Sequence, residues 1–196
     1  MTSTLEITAN VVTTVSIVLA GRNSVHTWWT GIIGCALFTL LFYKSQLYAD
    51  VVLQLFFVGT SALGWWQWLR GVRGQPLEVS NSGRSLLLGA ILIGIATTVG
   101  YGALLHELTD AYAPFVDSAV LAFSVIAQLM LMHRKRETWL FWIVVNSIAI
   151  PLYASRDLML TSALYATYWV NALVSWFAWR RIVRTQTLRP DVVRAS

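Results

Sequence analysis

Residues 47–70 read LYADVVLQLFFVGTSALGWWQWLR, and no Asp, Glu, Lys or Arg interrupts them between positions 51 and 69. About 20 apolar residues in a helix are needed to cross roughly 30 Å of hydrocarbon, and this segment provides nearly that length. The whole chain has the same character, because 57% of its 196 residues are hydrophobic and only 12% are charged. Soluble domains average about 25% charged residues. The composition therefore excludes a soluble enzyme.

Seven segments of the chain contain no charged side chain. They are residues 7–21, 23–43, 51–69, 85–106, 118–133, 138–155 and 158–179. Each approaches spanning length once neutral and snorkelling ends are added. We predict an all-α integral membrane protein with seven transmembrane helices. The first segment has no positively charged stretch before it and no compact cleavage site after it, so we expect a helix there and not a signal peptide.

The distribution of Lys and Arg predicts the orientation of the chain. Seven spans divide the loops between two sides, of which one holds only Lys44 and Arg156 and the other holds the remaining twelve basic residues. By the positive-inside rule, the N-terminus lies outside and the C-terminus lies in the cytoplasm. This orientation explains the net charge of +5, so no nucleic-acid partner is predicted.

A related segment follows 111 residues later, where residues 158–181 read LMLTSALYATYWVNALVSWFAWRR. At this offset three tryptophan pairs coincide: Trp28 with Trp139, Trp65 with Trp176, and Trp68 with Trp179. Four helices separate the copies, so both insert in the same orientation. The predicted plan is a first three-helix repeat over 1–70, a loop and linker transmembrane helix over 71–112, a second repeat over 113–181, and a basic cytoplasmic tail over 182–196. Parallel repeats of this kind characterise small transporters whose substrate sites lie near the midplane between the halves.

Catalytic and metal-binding signals are weak. Cys35 is the only cysteine, and His26, His106 and His133 are too scattered to suggest ligand spacing. The sequence contains no phosphate-binding loop, zinc-protease motif or nucleophile elbow. We predict that the protein is not an enzyme and uses no metal or cofactor.

Polar and aromatic residues near the predicted helix centres form stripes with helical spacing on the third, sixth and seventh helices. Aromatic rings from three such stripes could enclose a planar ligand, and amides can bind the substituents of the ligand. Interhelical hydrogen bonding is the alternative role for these amides and hydroxyls. The predicted substrate contacts are Gln54, Ser61, Trp65, Trp142, Asn146, Tyr165, Tyr168 and Asn171.

Nine of the ten tryptophans lie toward the predicted cytoplasmic ends, as in an interfacial aromatic belt. We assign Trp29, Trp66 and Trp179 to this belt and keep Trp65 and Trp142 in the site.

Three residues have predicted roles in gating. Asp50 and Asp117 begin the third and fifth helices on the outer side, where they either stabilise helix N-termini or gate the outer mouth. Pro151 removes one backbone hydrogen bond inside the sixth helix and either serves as a hinge or only bends the helix. No charged residue occupies a predicted midplane, which favours a uniporter over a proton-coupled carrier.

Four stretches carry a family resemblance: LYADVVLQLFF (47–57), GWWQW (64–68), PFVDS (114–118) and WLFWIVVN (139–146), followed by LY at 164–165. With these stretches the chain resembles the PnuC-type vitamin transporters, which share a 3+1+3 helix plan with the SWEET sugar transporters. The resemblance implies facilitated diffusion of a B-vitamin or its precursor, above all nicotinamide riboside, through a bacterial inner membrane, with trapping by a separate cytosolic kinase.

Several alternatives stay open. Thiamine and riboflavin are carried by relatives of the same kind, and a SWEET-like sugar carrier would have the same architecture. A non-transporting membrane scaffold is the remaining class. The expected partners are a small-molecule vitamin and the lipid bilayer, and a homo-oligomer is compatible with the sequence.

Overall fold

The computed structural model describes residues 4–44, 48–71, 77–108, 112–157 and 159–188, and the regular structure in these ranges is helical. The described residues form seven helices, which confirms the predicted all-α architecture. They are α1 (Thr4–Gly21), α2 (His26–Lys44), α3 (Tyr48–Arg70), α4 (Arg84–Leu108), α5 (Pro114–Met132), α6 (Thr138–Ala154) and α7 (Met159–Leu188).

The helix boundaries follow the charged residues, since α2 ends at Lys44, α3 ends at Arg70 and α4 begins at Arg84. Among the helices that the structure describes, α1, α4 and α5 are long and apolar enough to cross a membrane, and α6 is apolar but shorter. The helix α5 begins at Pro114, where the missing N–H of proline costs no helical hydrogen bond. The helix α7 continues to Leu188, so the predicted tail begins as helix, and residues 189–196 lie outside the described residues.

Three polar side chains of α1 form hydrogen bonds within their own helix. The Thr8 hydroxyl donates to the carbonyl of Thr4 at 2.8 Å, and the Thr14 hydroxyl donates to the carbonyl of Asn10 at 2.7 Å. The Asn10 amide donates in the same way to Glu6 at 3.0 Å. Such bonds to the preceding turn remove the cost of an unpaired polar group in hydrocarbon. They explain how a span that contains several polar residues forms a helix.

The chain divides into two compact units, residues 1–78 and residues 79–196. In the first unit α2 packs against both α1 and α3. In the second unit α5 packs against α4 and α6, and α6 packs against α7. The predicted linker helix α4 is therefore part of the second unit.

The loops α1–α2 and α5–α6 have the same backbone conformation at the 111-residue offset. Asn23 and Arg134, which correspond, both adopt left-handed φ angles, 55° and 49°. The N–H of Asn23 donates to the carbonyl of Ala20, and the N–H of Arg134 donates to the corresponding carbonyl of Leu131, each at 2.9 Å. Equivalent turns thus reverse the chain at equivalent places.

A helix-to-helix hydrogen bond also recurs. The hydroxyl of Thr27 donates to the carbonyl of Ser16 at 2.9 Å, joining α2 to α1. The hydroxyl of Thr138, the equivalent residue, donates to the carbonyl of Ala127 at 2.7 Å and joins α6 to α5. Both threonines are buried, so each bond is made away from solvent.

Two of the tryptophans that correspond at the 111-residue offset also contact each other within each unit, and they do so in the same way. Trp28 and Trp68 meet edge to face with ring centroids 5.2 Å apart, and Trp139 and Trp179 do so at 5.5 Å. Edge-to-face contact is the favoured geometry for aromatic pairs. The duplication therefore extends from the sequence to the packing of the helices.

This packing corrects one assignment. Trp179 is completely buried against Trp139, so its assignment to the interfacial belt is wrong. Trp29 and Trp66 are 38% and 54% exposed, and their place in the belt stays a prediction.

Candidate functional site

The stripe predicted on α3 is partly used for packing inside the first unit. Trp68 is buried against Trp28, and Ser61 is 4% exposed and close to Gly31 of α2. Trp65 is 37% exposed, and Gln54 is half-buried. Of the predicted contacts on this helix, Gln54 and Trp65 are therefore the ones with surface left to meet a ligand.

The predicted residues of α6 differ in their environments. Trp142 is half-buried and packs against the cluster formed by Ala127, Met130 and Phe141. Asn146, one turn further along, is only 4% exposed. A buried amide has a strong requirement for hydrogen-bond partners, which makes Asn146 the most constrained polar group of the predicted set.

The structure brings together two predicted residues of α7 and one residue that the sequence analysis missed. The ring of Tyr165 lies 5.7 Å from that of Tyr168 and 4.9 Å from that of Tyr153 on α6, measured between centroids. We call these three residues the tyrosine cluster.

Tyr153 could have been found from spacing alone. It follows Asn146 by seven residues and continues the stripe that begins at Trp139, because residues seven apart return to the same helix face. Pro151 lies between Asn146 and Tyr153, and α6 remains helical past it to Ala154.

The remaining predicted contact, Asn171, is half-buried, and its backbone carbonyl accepts a hydrogen bond from Ser175 at 2.6 Å.

Asp117 forms an ion pair. Its carboxylate Oδ2 lies 2.7 Å from Nη2 of Arg156, and both side chains are about one-third exposed (31% and 29%). The guanidinium of Arg156 also lies 5.6 Å from the ring centroid of Tyr112. The residue before α5, Ala113, makes no side-chain cap. The ion pair between Asp117 and Arg156 connects the first turn of α5 to the α6–α7 loop. The side chain of Asp50 lies outside the described residues.

An open groove of about 480 Å³ lies beside this ion pair in the second unit. Tyr112 and Val116 form one wall, and Ser147, Pro151 and Ser155 are on the other. The hydroxyl of Ser147 accepts the indole N–H of Trp169 at 3.0 Å and donates to Ile143 at 2.8 Å. The predicted hinge at Pro151 thus faces a groove, and its movement stays a prediction.

The chemistry of these side chains is that of recognition. Rings, amides and hydroxyls can stack on a planar ligand and bind its polar substituents. Within the ranges that the structure describes, no group of three His, Cys, Asp or Glu side chains could hold a metal ion.

Comparison with known proteins places these features in a family. Residues 3–181 match the family model described as nicotinamide mononucleotide transporter. The nicotinamide riboside transporter PnuC of Escherichia coli K12 is 25% identical over 173 residues, covering 75% of this chain and 72% of that protein. PnuC of Neisseria mucosa is 27% identical over 184 residues, with coverages of 86% and 68%.

Two further likenesses are more distant. The riboflavin/roseoflavin transporter RibM of Streptomyces davaonensis is 22% identical over 178 residues, covering 87% of this chain and 81% of RibM. The crystal structure of the vitamin B3 transporter PnuC aligns with a TM-score of 0.70 and 23% identity, over 90% of this chain and 80% of that one. At this identity the alignment establishes the fold alone.

Together with the family match, it confirms the resemblance to PnuC-type transporters. Because the family model spans residues 3–181, the chain belongs to the nicotinamide mononucleotide transporter family.

Proposed function

We propose that this protein carries nicotinamide riboside across the membrane by facilitated diffusion. The observation that carries the proposal is the family match over residues 3–181. Relatives named as nicotinamide riboside transporters in two bacterial species support the substrate. Riboflavin is the second candidate, because RibM aligns with 87% of the chain.

The tyrosine cluster and Asn146 support this substrate chemically. Nicotinamide riboside contains a cationic aromatic ring, a carboxamide and a ribose. Tyrosine rings attract a cationic ring, and an amide can pair with a carboxamide or a hydroxyl group. Riboflavin has an uncharged ring system, so it would lose the cation–ring attraction. We propose Asn146, Tyr153, Tyr165 and Tyr168 as contacts in the second unit, and we retain Trp142 and Asn171 as predicted contacts.

In the first unit, Gln54 and Trp65 are proposed contacts, since both have exposed surface. Ser61 was predicted as a contact, and its burial next to Gly31 favours a packing role instead.

We further propose uniport without catalysis. The charge-free segments contain no ionisable carboxylate that could carry a coupling proton through the membrane. The N-terminus is placed outside a bacterial inner membrane and the C-terminus in the cytoplasm, on the basis of the asymmetric Lys and Arg distribution. A fluorescent protein fused to the C-terminus should fold and fluoresce, whereas a fused alkaline phosphatase should be inactive. An active phosphatase would contradict this orientation.

The substrate is tested by uptake of radiolabelled nicotinamide riboside into proteoliposomes, with riboflavin, thiamine and glucose as parallel substrates. Nicotinamide riboside should equilibrate in the absence of ion gradients, and unlabelled nicotinamide riboside inside the vesicles should accelerate entry of label. Equilibration of riboflavin alone would make this protein a riboflavin carrier. A requirement for a proton or sodium gradient would refute uniport.

The proposed contacts are tested with matched variants in the same assay. Asn146→Ala should reduce substrate affinity about three- to tenfold, the equivalent of one lost hydrogen bond. Its control is Asn10→Ala, because the Asn10 amide bonds only to its own helix in the described structure. Tyr165→Leu should lower affinity roughly two- to thirtyfold through the lost ring, whereas Tyr165→Phe retains that attraction. Equal behaviour of Asn146→Ala and Asn10→Ala would remove Asn146 from the site.

A further inference from the structure

The last turns of α7 present a face that packing within the second unit does not use. Trp179 is completely buried, which fixes the rotation of the helix. At about 100° per residue, the positions of Phe177, Arg180, Arg181 and Arg184 lie between about 100° and 160° from Trp179, on the outward side. All four are exposed, and they line a groove of about 240 Å³. We call them the α7 arginine groove.

The arginines in this groove have positive charge without a counterion from their own helix. The sequence of α7, Met159–Leu188, contains no Asp or Glu. Two ion pairs occur within the described residues, Arg136–Glu137 and Arg156–Asp117, and neither uses an arginine of α7. Glu137 is 3% exposed and also accepts the backbone N–H of Ser82, so its carboxylate is already occupied. The groove is therefore suited to an anion supplied from outside the chain.

An apolar surface continues from the groove toward the middle of α7. Val170, Val174 and Phe177 are 55%, 62% and 54% exposed and lie on the same side of the helix as the arginines. From Val170 to Phe177 this surface extends about 10 Å along the helix. A molecule that matches the whole face has an anionic head and an apolar tail.

We propose that the α7 arginine groove binds the headgroup phosphate of an anionic phospholipid, whose acyl chain lies over Val170, Val174 and Phe177. Guanidinium groups bind phosphate oxygens in a bidentate geometry, and the adjacent positions of Arg180, Arg181 and Arg184 allow more than one to share a headgroup. A free phosphate would meet the same arginines, but it would make no use of the apolar surface.

The experiment compares phosphatidylglycerol with phosphatidylcholine, added at equal mole fraction to the full-length protein in detergent. Native mass spectrometry measures the lipid retained. Each arginine near a membrane surface contributes about a fivefold gain in affinity for an anionic lipid, so Arg180→Gln, Arg181→Gln and Arg184→Gln together should weaken binding on the order of a hundredfold. The matched control is the triple variant Arg22→Gln, Arg70→Gln and Arg84→Gln, which removes the same charge from scattered exposed positions.

Phosphatidylglycerol should be retained by the wild type and by the control variant, and lost from the α7 variant. A salt series on the wild type adds a test that depends on no variant. Raising salt from about 0.05 M to about 0.5 M should weaken retention of phosphatidylglycerol and leave phosphatidylcholine unchanged.

Equal retention of both lipids would overturn the proposal, and so would retention of phosphatidylglycerol by the α7 variant. If soluble glycerol phosphate displaced the lipid completely at the same concentration, the site would be a phosphate site with no lipid contact. A change of oligomeric state in the α7 variant, without loss of lipid, would show that a second copy of the chain covers this face.

Discussion

Gly64 on α3 offers a direct test of how the first unit is packed. A Cβ atom added at Gly64 would lie 2.6–2.7 Å from three ring atoms of Trp28. Real Cβ contacts are essentially never this short, so the ring would have to move. Trp28 is 2% exposed and its ring is held edge to face by Trp68. The substitution Gly64→Ala should therefore destabilise the protein despite the higher helix propensity of alanine.

The expected size follows from overpacking, which costs about 1–3 kcal/mol in a dense core. For a chain of this length, each kcal/mol lowers the melting temperature by about 2–4 °C, so Gly64→Ala should melt about 2–12 °C below the wild type. Gly59→Ala is the matched control, because it lies on the same helix and its added Cβ meets nothing within 4 Å. That variant should gain up to about 1 kcal/mol.

Thermal unfolding in detergent measures both variants, with Trp28→Phe as a third substitution. A smaller ring gives the new methyl group room, so the double variant should lose less stability than the sum of the two single losses. If Gly64→Ala were as stable as Gly59→Ala, or if the two losses were additive, the described contact between α2 and α3 would be wrong.

Three further predictions concern the second unit. Asp117→Asn should lose about 0.5–1 kcal/mol of stability, and adding Arg156→Gln should cost little more, because the first change already breaks the ion pair; additive losses in a double-mutant cycle would count against it. Thr138→Val should cost about 0.5–1.5 kcal/mol by removing a buried hydrogen bond from its hydroxyl to the carbonyl of Ala127, whereas Thr167→Val, at an exposed hydroxyl that bonds within α7, should cost less; equal melting temperatures would contradict this. Glu137→Gln should cost about 1–3 kcal/mol, since a buried carboxylate that accepts two donors is replaced by an amide carrying its own N–H groups; wild-type stability in chemical denaturation would refute that role.

Most of the candidate site could be named from sequence, because polar residues at spanning depth are rare and helical spacing groups them. Asn146, Tyr165 and Tyr168 were predicted in this way. Tyr153 was not among the predicted contacts, and the structure places its ring 4.9 Å from that of Tyr165. Helical spacing also does not show whether a side chain is buried by its neighbours. Ser61 was predicted as a substrate contact and Trp179 as a belt residue, and both are buried.

The sequence by itself determined the class of the protein, the seven helices and the duplication. These follow from local properties: a charged residue ends a spanning segment because it cannot remain in hydrocarbon, and a repeat at a fixed offset is visible without any contact. Only the tertiary structure decided which rings pair, that Asp117 binds Arg156, and that α4 packs with α5. Those outcomes depend on how helices rotate and approach one another, and rotation is set by the fit of many side chains at once.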